Sequence, residues 1–104
     1  MDFAQLAANL GLEEDEFIEL VELLLSTAPN DLGNLRAALE NDDVGAVAGA
    51  AHTIKGATGN LGFADLAAIA GEIEDQARMG LLEGLNARVE ALARGLDDLA
   101  AACE

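Results

Sequence analysis

The chain has one histidine, one lysine, one proline and one cysteine, and it has no tryptophan or tyrosine. Each scarcity removes a class of explanation. A lone Cys103 beside the C-terminus has no disulfide partner, and no Cys/His spacing suited to zinc is present. Its simplest role is that of a small apolar residue near a fraying end. Only five basic residues stand against twenty acidic ones, for a formal net charge of -15. DNA or RNA would be repelled, and no basic stripe exists to release counterions, so nucleic-acid binding is excluded. The same charge disfavours anionic membrane surfaces. No apolar run approaches the roughly 18 residues needed to cross a bilayer. The N-terminus "MDFAQLAANL" lacks a basic segment ahead of an apolar one, so no secretory signal is read there. With the lone cysteine, this points to a reducing, cytoplasmic setting.

What is present is apolar and helical in pattern. Apolar residues make up 52% of 104, mostly Ala and Leu, and β-branched residues are few. That length suits one domain, residues 1–104, with a core of its own. Phe3, Leu6 and Leu10 recur at helical spacing and suggest a short helix ending near Gly11. A new pattern starts at Glu13, with Phe17, Val21, Leu24 and Ala28 on one face, and continues past Pro29 with Leu32, Leu35 and Leu39. Thr27 is a possible cap there, giving either two abutting helices or one long helix bent near Pro29. The acidic run Glu13–Glu16 reads as a helix N-terminal turn, and Asp42 or Asp43 can cap the helix that follows. Further helices are expected over Asp43–Leu61, from about Phe63 to Arg78, and from about Leu82. In the fourth, Leu66, Ile69, Ile73 and Ala77 face inward. The last carries Leu82, Leu85, Val89, Leu92, Leu96 and Leu99 on a bundle seam. Short connections make consecutive helices antiparallel. The expected fold is all-α, an up-down four-helix bundle with a short additional N-terminal helix.

One stretch of this pattern is anomalous. "AHTIKGATGNLGF", Ala51 to Phe63, contains the only His and the only Lys, three residues apart, together with three glycines. On a helical wheel Val47, Ala51, Ile54, Thr58 and Leu61 form the core arc. His52 points away from it, with Ala48, Gly49, Lys55, Gly56 and Gly59 grouped around the ring. Each exposed glycine costs roughly 1 kcal/mol relative to Ala in a helix interior. Packing glycines belong on the core arc, whereas these lie on the face of the histidine. A surface cleared of side chains suits close approach by another macromolecule. Lys55, one turn from His52, disfavours imidazolium and so keeps the ring neutral and nucleophilic, and it can offset an anionic group placed on a ring nitrogen. The pair is a layout for carrying a phosphoryl group.

These residues closely resemble the signature of histidine-containing phosphotransfer (HPt) domains of two-component phosphorelays. The match is His52, Lys55, Gly56, Ala57, Leu61 and Gly62, and "LAAIAGEIEDQARMG" is similar to the helix that follows the motif in that family. A histidine-kinase dimerisation helix resembles the stretch less, because Thr53 follows the histidine here and no later proline does.

The resemblance implies a phosphoryl carrier with no catalytic or ATP-binding site of its own. His52 would be the acceptor, through Nε2, and Lys55 would steady the phosphoryl oxygens. Ala48, Gly49, Gly56 and Gly59 would form the docking surface, and Gly56 would leave room for the partner's aspartate. The expected partners are receiver domains of response regulators, a sensor histidine kinase, or both. Mg²⁺ would sit on the receiver, and no cofactor or metal site is expected in this chain, which would act as a monomer without membrane contact. The same signature occurs in the substrate domain of chemotaxis kinases, so a freestanding protein and a fragment of a larger kinase fit equally. A phosphate-inert adaptor that only docks receivers is the alternative. An independent hydrolase is disfavoured, because no second histidine organises the many carboxylates.

Overall fold

The computed structural model describes residues 2–104, which form five helices. They are α1 (Phe3–Asn9), α2 (Glu14–Glu40), α3 (Val44–Asn60), α4 (Ala64–Arg78) and α5 (Leu85–Ala102). Helices α2 to α5 are antiparallel in sequence order and close a ring. α2 packs on α3, α3 on α4, α4 on α5, and α5 returns to α2, while α1 lies against α2. The anticipated all-α bundle with a short extra helix is the observed architecture.

Local chemistry sets the helix ends. Asp2 and Asp43 each cap a helix by accepting from a backbone N–H three residues on, that of Gln5 at 3.0 Å and that of Ala46 at 3.1 Å. At the start of α2 the Glu13 N–H donates to the Glu16 carboxylate at 3.0 Å, half of a capping box, as the acidic run suggested. The helix is not divided at Thr27. α2 runs unbroken for 27 residues with Pro29 inside it, and the Thr27 hydroxyl donates back to the Leu24 carbonyl. Pro29 is exposed, and the missing N–H is tolerated because the flanking Ala28 and Leu32 are both buried, which holds the helix on either side. α5 starts at Leu85, three residues later than its periodicity suggested. Gly84, at φ +82°, turns the chain there in a conformation open to glycine. The Gln76 amide ties down this connection by donating to the carbonyls of Leu81 and Glu83 at 2.9 and 3.0 Å.

The core is one contiguous cluster running the length of the bundle. Phe17, Leu35, Ile73, Leu85, Leu92 and Leu99 are its largest fully buried members. Phe17 stands between Phe3 and Phe63, with ring centroids 6.1 and 5.9 Å away in tilted geometry, and so joins α1 to the α3–α4 turn. Gly95 of α5 faces Leu66 of α4, where an added Cβ would overlap Leu66 Cδ2. Ile69 is only partly buried, at the edge of the arc on which it was expected. No helix among the described residues is long and apolar enough to cross a membrane.

Candidate functional site

Helix α3 lays Val47, Ala51, Ile54 and Thr58 into the core, and Thr58 satisfies its buried hydroxyl by donating to the Ile54 carbonyl at 2.8 Å. This fixes the rotation of the helix. Its opposite side carries His52, whose side chain is 65% exposed, and Lys55, 47% exposed. A Cβ on Gly49 or Gly56 would meet nothing within 4 Å, so both glycines open directly onto solvent beside the imidazole.

Two of the anticipated surface positions behave differently. Ala48 is buried, at 5% exposure, because α4 packs tightly on α3 and extends the covered arc beyond the limit the wheel suggested. Gly59 is exposed but faces the same neighbour, and a Cβ there would make ordinary contact with the Ala67 methyl at 3.7 Å. Leu61, assigned to the core arc, is only half-buried at the end of the helix. The bare surface beside His52 therefore narrows to Gly49 and Gly56, with Gly59 at its margin.

The residue that organises the site is Glu74 on α4. Its side chain is 5% exposed, and every donor it meets is charged or ionisable. His52 Nδ1 lies 2.9 Å from Oε2, and Lys55 Nζ donates to Oε1 at 3.3 Å. Arg78 donates twice to Oε2, from Nη2 at 2.7 Å and from Nε at 3.1 Å. The Arg78 hydrogen bonds, reinforced by Lys55, outweigh the cost of burial and lower the Glu74 pKa from 4.5 to about 2. The carboxylate is thus ionised and only accepts, so the shared proton belongs to His52 Nδ1. In a neutral ring this tautomer leaves the lone pair on Nε2, on the side away from Glu74.

This corrects the reading of Lys55 as a free cation acting on the imidazole. A carboxylate lies between the two, and Lys55 is bonded to it. Glu74 and Arg78 escaped the sequence reading because a carboxylate among twenty, beside inward-facing Ile73, looks like one more solvated acid. The available signal was their i,i+4 spacing at the edge of the apolar arc of α4. The thiol of Cys103, pushed up by burial and by Glu22, lies outside this site. Among the described residues no cluster of three or more His, Cys, Asp or Glu is placed to hold a metal ion.

Three comparisons with known proteins bear on this geometry. The family model described as "Hpt domain" matches residues 19–102, from within α2 to the end of α5. The fold is similar to the crystal structure of histidine-containing phosphotransfer protein B (HptB) from Pseudomonas aeruginosa PAO1. That similarity has a TM-score of 0.86 and 30% sequence identity, over 99% of this chain and 90% of that one. No curated protein sequence matches the chain.

Proposed function

This chain belongs to the Hpt domain family, and from that premise we propose that it carries a phosphoryl group on His52 Nε2. The group would come from a receiver-domain phospho-aspartate or a kinase and pass to a receiver aspartate. The observation that carries the reading is the exposed imidazole whose Nδ1–H is fixed on buried Glu74, which directs the other ring nitrogen outward.

The transfer balances without a proton leaving the ring. The Nε2 lone pair attacks the phosphorus of an aspartyl phosphate; the N–P bond forms, the P–O bond to the aspartyl oxygen breaks, and its electron pair returns to the partner's carboxylate. The ring keeps its Nδ1 proton and becomes cationic, and the adjacent Glu74 carboxylate stabilises that charge. In the reverse direction the ring leaves as neutral imidazole. Lys55 offsets the charge of the phosphoryl oxygens from one turn along α3. Mg²⁺, held by the receiver, would screen the same oxygens from the partner's side. Gly49 and Gly56 let the receiver backbone approach the ring closely. No catalytic machinery beyond this is assigned to the chain, which acts as a carrier. A phosphate-inert adaptor would have no use for a buried carboxylate on Nδ1.

The test is incubation with a phosphorylated receiver domain, or with phosphoramidate, followed by intact-mass measurement. One acid-labile, base-stable phosphoryl group is expected on the wild type. None is expected on His52→Gln, whose helical content should be unchanged because the ring lies outside the core. Labelling that persists in His52→Gln would overturn the assignment.

A further inference from the structure

The chain has only five Lys and Arg side chains, and two of them converge on a single carboxylate. One cation neutralises one carboxylate, so the arrangement is overcompensated, in a protein of net charge -15. Arg36 and Arg88 show the ordinary alternative, each pairing with one exposed glutamate, Glu90 and Glu72 respectively.

The two cations at Glu74 are not equivalent. Oε1 receives a single hydrogen bond, from Lys55. Oε2 receives three, one from His52 Nδ1 and two from Arg78, although a carboxylate oxygen offers only two lone-pair directions. Removal of Lys55 would leave Oε1 with no partner. Removal of Arg78 would leave Oε2 still bonded to His52. Arg78 is therefore the donor that can leave without orphaning either oxygen. Its side chain is also the more exposed of the two, 61% against 47%, and it borders an open groove of about 380 Å³ with Gly45, Ala48 and Gly49, within one to two turns of His52 on α3.

We propose that Arg78 is a second phosphoryl ligand, docked on Glu74 while His52 is free and transferred to the phosphoryl oxygens once Nε2 is modified. This rests on the reading of His52 as the acceptor. Before modification the carboxylate is the only anion in the cluster. Afterwards a phosphoryl group stands on the same ring and offers oxygens of higher charge, while the ring cation takes over the neutralisation of Glu74. The guanidinium fork matches two phosphoryl oxygens, and the bare turn at Gly49 leaves space for it to move. Lys55 stays on Oε1 and contributes its charge from there. An ordinary i,i+4 ion pair accounts for a Glu–Arg contact on α4, but not for two cations and an imidazole on one carboxylate.

The experiment uses the full chain labelled with phosphoramidate, which needs no docking surface. The ³¹P resonance of the phosphohistidine is titrated in wild type, Arg78→Ala, Arg78→Gln and Arg78→Lys, and the lifetime of the adduct is measured. A guanidinium on the phosphoryl oxygens favours their dianion. The titration midpoint in Arg78→Ala and Arg78→Gln should therefore rise by up to about one unit, a tenfold change in proton affinity. Arg78→Lys should recover part of the shift, because it keeps the charge and loses the fork. A merely structural Arg78 would change melting temperature but not the ³¹P titration. Equal midpoints in wild type and both neutral variants would overturn the proposal. A wild type that does not label on His52 refutes instead the acceptor reading beneath it.

Discussion

Glu74→Gln tests the site more stringently than any change to His52, because it removes one charge and nearly no volume. The wild-type carboxylate has a pKa of about 2 against an ordinary 4.5, with Arg78 its principal cause. At about 1.4 kcal/mol per unit, that depression corresponds to roughly 3 kcal/mol favouring the ionised folded state. A glutamine oxygen can still accept one of the donors, so about 1–3 kcal/mol should be lost at pH 7. For a chain of this length each kcal/mol lowers the melting temperature by about 4–8 °C. Because the folded pKa is the lower one, the stabilisation is fully present above about pH 4.5. It disappears as pH falls through the folded value near 2. The wild-type advantage over Glu74→Gln should therefore be present at pH 5 and shrink toward zero near pH 2. Urea denaturation of both proteins across that range measures it, and the difference cancels the titration of the other nineteen acids. An advantage that stays constant down to pH 2, or is absent at pH 7, would refute the account of Glu74 as an ionised anchor. Labelling by phosphoramidate should also slow in the variant, since the ring cation formed at Nδ1–H loses its counter-charge.

Lys55→Ala should slow transfer by about ten- to a hundredfold, the equivalent of 1–3 kcal/mol, without abolishing it. It should also lower the melting temperature by several degrees, because Glu74 Oε1 loses its single partner; unchanged values of both would make Lys55 inert surface. Gly56→Gln adds a side chain in open space one turn from His52, so stability should hold or rise by up to about 1 kcal/mol. Receiver-dependent transfer should meanwhile fall about a hundredfold and labelling by phosphoramidate persist, whereas normal transfer would remove Gly56 from the docking surface. Gly95→Ala should leave the melting temperature unchanged or slightly raised, because its methyl meets only the flexible Cδ2 end of Leu66 while a helix-interior glycine cost of roughly 1 kcal/mol is removed; a loss of several degrees would show that Leu66 cannot move aside.

The parts of this molecule that were legible in its sequence are those written in local periodicity. The seam Leu85, Val89, Leu92, Leu96, Leu99 is buried throughout, because an apolar stripe on a helix has no other way to leave water. Helix ends were less legible, since they depend on one residue's backbone. The left-handed Gly84 delays α5 past Leu82, and burial of Ala28 and Leu32 carries α2 through Pro29. Within the site, the outward direction of His52 followed from the wheel of α3 alone. The burial of Ala48 did not, because it depends on how closely a second helix lies, which no single-helix pattern encodes.

Glu74 marks the deeper limit. In sequence it is one acid among twenty, and its distinction exists only after α4 has been laid on α3. Packing then buries the carboxylate at a point where His52, Lys55 and Arg78 all reach it, and burial makes each of those hydrogen bonds count for more than it would in water. The exposed imidazole and the buried acid are therefore one device distributed over two helices. Its exposed end can be read from the glycines that clear α3, while its orienting end is fixed only by the tertiary fold. A helix pair this close constrains the ring without covering it, and that constraint leaves Nε2 exposed to solvent while Nδ1 keeps its proton.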